Sequence, residues 1–106
     1  MEHGVMHLDA AATRDLKLDG VSVLAFSAKW CPPCKVMDPI YEQTAGQFPG
    51  MRFLKANQEQ VPELFERFSV QAIPTYLVLK DGEVVHRQVG ALPASKFHAM
   101  LAGFGT

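Results

Sequence analysis

This chain has almost no cysteine and no long apolar run, and each shortage narrows what it can be. Its 106 residues include two cysteines, both in the stretch Trp30-Cys31-Pro32-Pro33-Cys34-Lys35. None is left for a structural cross-link, which fits a reducing compartment, where paired thiols are catalytic or metal-binding. No apolar segment approaches the ~20 residues needed to cross a bilayer. The opening residues, Met1-Glu2-His3-Gly4-Val5-Met6, lack the basic and apolar regions of a secretory signal. A cytoplasmic location is therefore expected, without membrane association. The net charge is −1, so there is no basic face to attract nucleic acid. Repeats, low-complexity tracts and linkers are absent, and a single domain spanning residues 1–106, acting as a monomer, is expected. Metal is disfavoured as well. Structural zinc wants four ligands, there is no second cysteine pair, and His3, His7, His86 and His98 share no ligand spacing.

What is present is a Cys-x-x-Cys placed directly after a β-rich run and at the start of a helical pattern, which reads as a redox dithiol. Spacing of i, i+3 in a first helical turn puts both sulfurs within bonding reach on one face. The first sulfur then lies beside unpaired N–H groups at the positive end of the helix dipole, which favours thiolate. Thiolate is the form that attacks disulfides. Cys31 is expected to be the exposed, attacking sulfur, with Cys34 shielded one turn further in. Lys29 and Lys35 flank the pair and add a little, screened, support for the anion.

Around this motif the chain alternates strands and helices. A short strand is predicted over residues 5–8, then a weak helix over 10–16 capped by Asp9 or Thr13, and a turn over 17–20. Residues 21–28 are apolar at both parities, as in a central parallel strand buried on both faces. A helix follows over 33–48, with Val36, Met37, Ile40, Tyr41, Ala45 and Phe48 at helical spacing and a kink expected at Pro39. Residues 51–56 read as a strand, and 61–68 as a short helix with proline in its first turn. Strands over 75–80 and 84–89 form a hairpin across Asp81-Gly82. Pro93 and Ser95 open a last helix, with Phe97, Met100 and Leu101 turned inward. This order implies an α/β fold with a mixed sheet covered by helices on both faces. The dithiol then follows the carboxyl end of a central strand, the edge where such sheets hold their sites.

Read together, Trp30-Cys31-x-Pro33-Cys34-Lys35, Pro39, Lys55-x-Asn57, Ile73-Pro74-Thr75, Lys80-Asp81-Gly82-Glu83 and Val89-Gly90-Ala91-Leu92 resemble the thioredoxin family. The resemblance covers essentially everything after the first twenty residues. It implies the thioredoxin fold, a central five-stranded mixed sheet flanked by four helices. It also implies a protein-disulfide reductase that needs no cofactor beyond its own disulfide. Cys31 would attack a target disulfide and Cys34 would resolve the mixed disulfide, with Pro32, Pro33 and Lys55 completing the catalytic group. Pro74 would be cis and face the dithiol. Trp30, Ile73, Pro74, Val89, Gly90 and Ala91 would form an apolar rim for an extended substrate strand. Partners would be disulfide-containing proteins and a thioredoxin reductase or another dithiol donor.

The chain departs from the family pattern at several positions. Pro32 stands where glycine is common; proline disfavours the α region for the residue before it and is expected here to be extended itself, so that the helix begins at Pro33. Ala25, six positions before Cys31, replaces a buried aspartate that serves the resolving thiol as base, while Lys55, its usual neighbour, is kept. The proton of Cys34 must then leave by water or through Glu59 or Asp38, and resolution is expected to be slow. Ser27 replaces a tryptophan in the strand, and Ala72 replaces the glycine before Ile73. Two further readings follow: an oxidase or isomerase in an oxidising compartment, or a redox-gated binding module using the same rim. The scale of such dithiols, on which thioredoxin is itself one end, spans about 150 mV, or roughly 7 kcal/mol for two electrons.

Overall fold

A computed structural model describes residues 4–14 and 16–105. His3, considered above as a metal ligand, lies outside the described residues. Along the chain the elements are β1 (Met6–His7), α1 (Ala10–Arg14), β2 (Val21–Ser27), α2 (Pro32–Gln47), β3 (Arg52–Asn57), α3 (Pro62–Arg67), β4 (Thr75–Lys80), β5 (Glu83–Val89) and α4 (Ala94–Ala102). Among the described residues they form one five-stranded mixed sheet, in the order β1-β3-β2-β4-β5, and four helices.

The apolar run of β2 takes the centre because both of its faces must be covered. Residues Ser22 to Ser27 are all buried. β2 lies parallel to β3 but antiparallel to β4, so only one of its two ladders is of the parallel kind expected. The difference comes from the long loop over α3, which returns the chain to the sheet in the opposite direction. On one face Leu24 and Phe26 pack with Leu54, Leu64, Phe65 and Leu77 beneath α3. On the other, Val23 and Ala25 pack with Met37 and Tyr41 of α2 and with Phe97 and Leu101 of α4. Met100 is only partly buried.

The apolar stripe of α2 is narrower than its sequence suggests. Met37, Tyr41 and Ala45 are buried and Ile40 and Phe48 partly so, but Val36 is 64% exposed. Val36 lies one residue, about 100° of rotation, away from Met37, which carries it off the sheet-facing side. Helix α2 runs on through Pro39. Just after β1, Asp9 Oδ1 accepts the Ala12 N–H at 2.8 Å, so Asp9 rather than Thr13 caps α1. The hairpin turns with positive φ at Asp81 (50°) and Gly82 (88°), the conformation that an Asp-Gly pair adopts most readily. The ladder between β4 and β5 shifts register at Val78/Leu79.

Two phenols lie in the α2-side core. The Tyr41 hydroxyl donates to the carbonyls of Val23 (2.9 Å) and Leu54 (2.7 Å), tying α2 to both β2 and β3. Burial, then the neighbouring Tyr76, pushes Tyr41 up, only partly offset by its backbone hydrogen bonds. Burial, then the charge of Asp38, pushes Tyr76 well above the ordinary tyrosine range. A phenol whose folded pKa is raised contributes stability fully present below the unfolded value of about 10 and lost as pH climbs above it. The loss approaches about 1.4 kcal/mol per pH unit for each tyrosine within that window. Urea midpoints measured from pH 8 to 11 are expected to fall steeply above about 10, and less steeply in Tyr76→Phe; equal slopes in both proteins would contradict this.

Candidate active site

The carboxyl end of β2 leads directly to the cysteines. Ala28 is buried, Lys29 and Trp30 turn outward, and the backbone N–H of Cys31 returns to the carbonyl of Ala28 at 3.3 Å. The loop is held from the side by Glu59, whose Oε2 accepts the Lys29 N–H at 3.0 Å. Cys31 is the N-cap of α2, in extended conformation (φ −95°, ψ 108°). The helix begins at Pro32, one residue earlier than expected, so it is Cys31 that is extended and not Pro32. The reason is that first-turn N–H groups have no intrahelical partner, so two prolines at N1 and N2 give up nothing.

Those prolines simplify the helix terminus. With no N–H on Pro32 or Pro33, the first free donor is that of Cys34, and it points at Cys31 Sγ at 3.3 Å. The sulfur thus occupies the place of a capping serine or aspartate oxygen, at the positive end of a 16-residue helix. Cys31 and Cys34 are joined as a disulfide, with their Cα atoms 5.3 Å apart. Both are covered: Cys31 is 2% exposed and Cys34 1%. This corrects the expectation of an open attacking sulfur. In the oxidised form, Cys31 and Cys34 share a small apolar cluster with Ala28, against which Ile73 packs.

Two loops reach the edge of the sheet that carries the dithiol. The Ile73-Pro74 peptide bond is cis, as the resemblance implied, and Thr75 then pairs with Phe26 of β2 and with Val89 of β5. Gly90 donates its N–H to the carbonyl of Pro74 at 2.8 Å. Its φ of 94° favours glycine at this point. Trp30 is 65% exposed and Val89 54%, while Ile73 is half-buried against the cysteines. Cys31, Ile73, Pro74 and the Val89-Gly90 backbone therefore collect at one edge of the sheet. Lys55 lies on β3 opposite Ala25, and its Nζ is 2.7 Å from Asp38 Oδ1.

A family model, thioredoxin, matches residues 6–103. The chain belongs to the thioredoxin family. It is 36% identical over 89 residues to a thioredoxin H-type of Oryza sativa subsp. indica, covering 84% of this chain and 73% of the relative. It is 42% identical over 69 residues to thioredoxin H2-1 of Oryza sativa subsp. japonica, covering 65% of this chain and half of that protein. Among solved structures, thioredoxin NaTrxh of Nicotiana alata superposes with a TM-score of 0.86 at 28% identity, covering 96% of this chain and 93% of that one. The Malassezia sympodialis thioredoxin gives 0.82 at 25% identity, covering 97% and 93%.

A thioredoxin with this cysteine pair is a thiol-disulfide oxidoreductase of the disulfide-reductase class, and its redox group is the disulfide itself. Among the described residues no group of three or more His, Cys, Asp or Glu is placed to hold a metal ion. Nor is any helix among them long and apolar enough to cross a membrane. Sequence reasoning missed the engagement of Lys55 with a carboxylate on α2. The available signal was the position of Asp38, four residues after Cys34 and hence on the same side of the helix.

Proposed function

We propose that this thioredoxin reduces disulfides of other proteins in the cytoplasm, and is returned to the dithiol by a thioredoxin reductase or another dithiol donor. Cys31, as thiolate, attacks one sulfur of a target disulfide; a Cys31–target bond forms and the other target sulfur leaves as a thiolate that takes up a proton. Cys34, deprotonated, then attacks Cys31 Sγ, forming the internal disulfide and releasing the second target thiolate. Two electrons pass to the target, whose two thiolates take up protons from solvent, balancing those that Cys31 and Cys34 give up on ionising.

The observation that carries this reading is the aim of the Cys34 N–H at Cys31 Sγ, with the two intervening donors removed by proline. A charge-assisted hydrogen bond and the helix dipole both favour the sulfur anion. The target strand lies across Trp30, Ile73, Pro74, Val89, Gly90 and Ala91, pairing its backbone with that of Ile73 beside the cis bond. Pro32 and Pro33 stiffen the turn, so little ordering remains when the target docks.

Direction is a matter of potential, and equilibration against glutathione tests it. A reductant's disulfide is expected to stay intact until reduced glutathione is in large excess over the oxidised form. A pair already fully reduced at the milder ratios of an oxidising compartment would instead make the protein an oxidase or isomerase.

A further inference from the structure

The resolving step needs a place for the Cys34 proton, and the strand position opposite Lys55 offers none, since it is Ala25. Ala25 is 3% exposed and lies on β2 between Lys55 of β3 and Tyr76 of β4, its register partners. Ala25 and Tyr76 belong to the core beneath α2, together with Met37 and Tyr41 from the helix. A carboxylate does reach Lys55, but from the helix side and at the margin of this core. Asp38 Oδ1 stands 2.7 Å from Lys55 Nζ. Asp38 follows Cys34 by four residues, which on a helix brings their Cβ atoms to about 5–6 Å, a gap one water bridges. The Asp38 side chain is 39% exposed and that of Lys55 12%. The carboxylate thus has one side toward the lysine and another open to water, so a proton it receives has a way out. Glu59, the other acid near the loop, is occupied in holding the Lys29 N–H.

We propose that Asp38, held by Lys55, is the proton acceptor for Cys34 when the mixed disulfide is resolved. The inference rests on the exchange function proposed above. In the step, the Cys34 S–H bond breaks and its proton passes through water to the Asp38 carboxylate. The sulfur electron pair forms the bond to Cys31 Sγ, the Cys31–target bond breaks, and the departing target thiolate takes a proton from solvent as Asp38 returns its own. Lys55 is a positioning residue, keeping the carboxylate turned toward the sheet.

A symmetric nitrobenzoate disulfide, whose thiolate is coloured, separates the two halves of the reaction in stopped flow. Attack by Cys31 releases one equivalent, and displacement by Cys34 releases a second in a phase independent of reagent concentration. Wild type is expected to show both phases. Asp38→Asn is expected to slow the second by about tenfold or more, less than the ~10²–10⁴ typical of an enclosed general base because the site is open to water. Asp38→Glu should retain most of the rate. Added imidazole at constant pH should speed the second phase of Asp38→Asn and leave wild type unchanged, which loss of a merely structural contact would not produce. Ala25→Asp, placed in the Asp38→Asn background, should restore the rate by returning a carboxylate to Lys55 from the strand.

A second phase in Asp38→Asn within about twofold of wild type overturns the assignment. So does a slowed phase that neither imidazole nor Ala25→Asp repairs, or one that Glu59→Gln slows instead. Absence of the first phase in wild type would overturn the exchange function itself.

Discussion

Cys31→Ser is expected to stop disulfide exchange outright. In a dithiothreitol-driven insulin turbidity assay its rate should fall by on the order of 10³-fold or more, to the background of dithiothreitol alone, the scale of loss when a covalent nucleophile is removed. The loss is chemical rather than structural. A serine hydroxyl at the cap still accepts the Cys34 N–H, so the helix keeps its start. What disappears is a sulfur that can ionise and, as thiolate, attack a disulfide. The variant is therefore expected to fold with an unchanged far-ultraviolet spectrum and to bind extended peptides still. Residual activity above background would point to Cys34 as a competent nucleophile and would remove the basis for the assigned roles. Peptide or partner binding unchanged in both cysteine variants, in a wild type without turnover, would favour the binding-module reading.

Cys34→Ser is expected to fail differently. Cys31 remains at the N-cap of α2 and still attacks, but no thiol lies one turn in to release it. The protein should perform one half-reaction and accumulate as a mixed disulfide, visible as a mass adduct of the target chain and cleaved by added dithiothreitol. Turnover with insulin falls toward background, since each release then depends on a bimolecular attack by the reductant rather than on a neighbouring sulfur at high effective concentration. Both cysteines are almost fully covered in the oxidised form, so an adduct on Cys31 also requires the lip formed by Ile73 to give way on reduction or on docking. An adduct that forms but dissolves as fast as in wild type would contradict the resolving role.

Much of this was readable in the sequence, and what was not has a physical explanation. The double-parity apolar run of β2 identified the central strand, because only burial on both faces makes such a run stable. Its direction relative to β4 was not legible, since composition is the same for either ladder. The sequence puts the start of α2 one residue late because proline restrains the residue before it, yet that restraint falls on Cys31 once Pro32 itself takes the first helical position. Val36 reads as part of the buried stripe because hydrophobicity alone does not distinguish adjacent positions about 100° apart. Ile73, which packs against Cys31 in the fold, lies more than forty positions away in sequence. The partner of Lys55 was hidden for a similar reason. Ala25 marks the missing acid plainly, but only the packing of α2 over β3 shows that Asp38 comes within 2.7 Å of the same lysine.

Exchange by this route requires Cys31 to be the thiol that ionises and is reached first. Brief treatment of the reduced protein with limiting iodoacetamide at neutral pH, followed by peptide mass mapping, measures this directly. The adduct is expected on the peptide bearing Cys31 alone, with Cys34 modified only after unfolding. Equal labelling of the two residues, or labelling of Cys34 first, would contradict it.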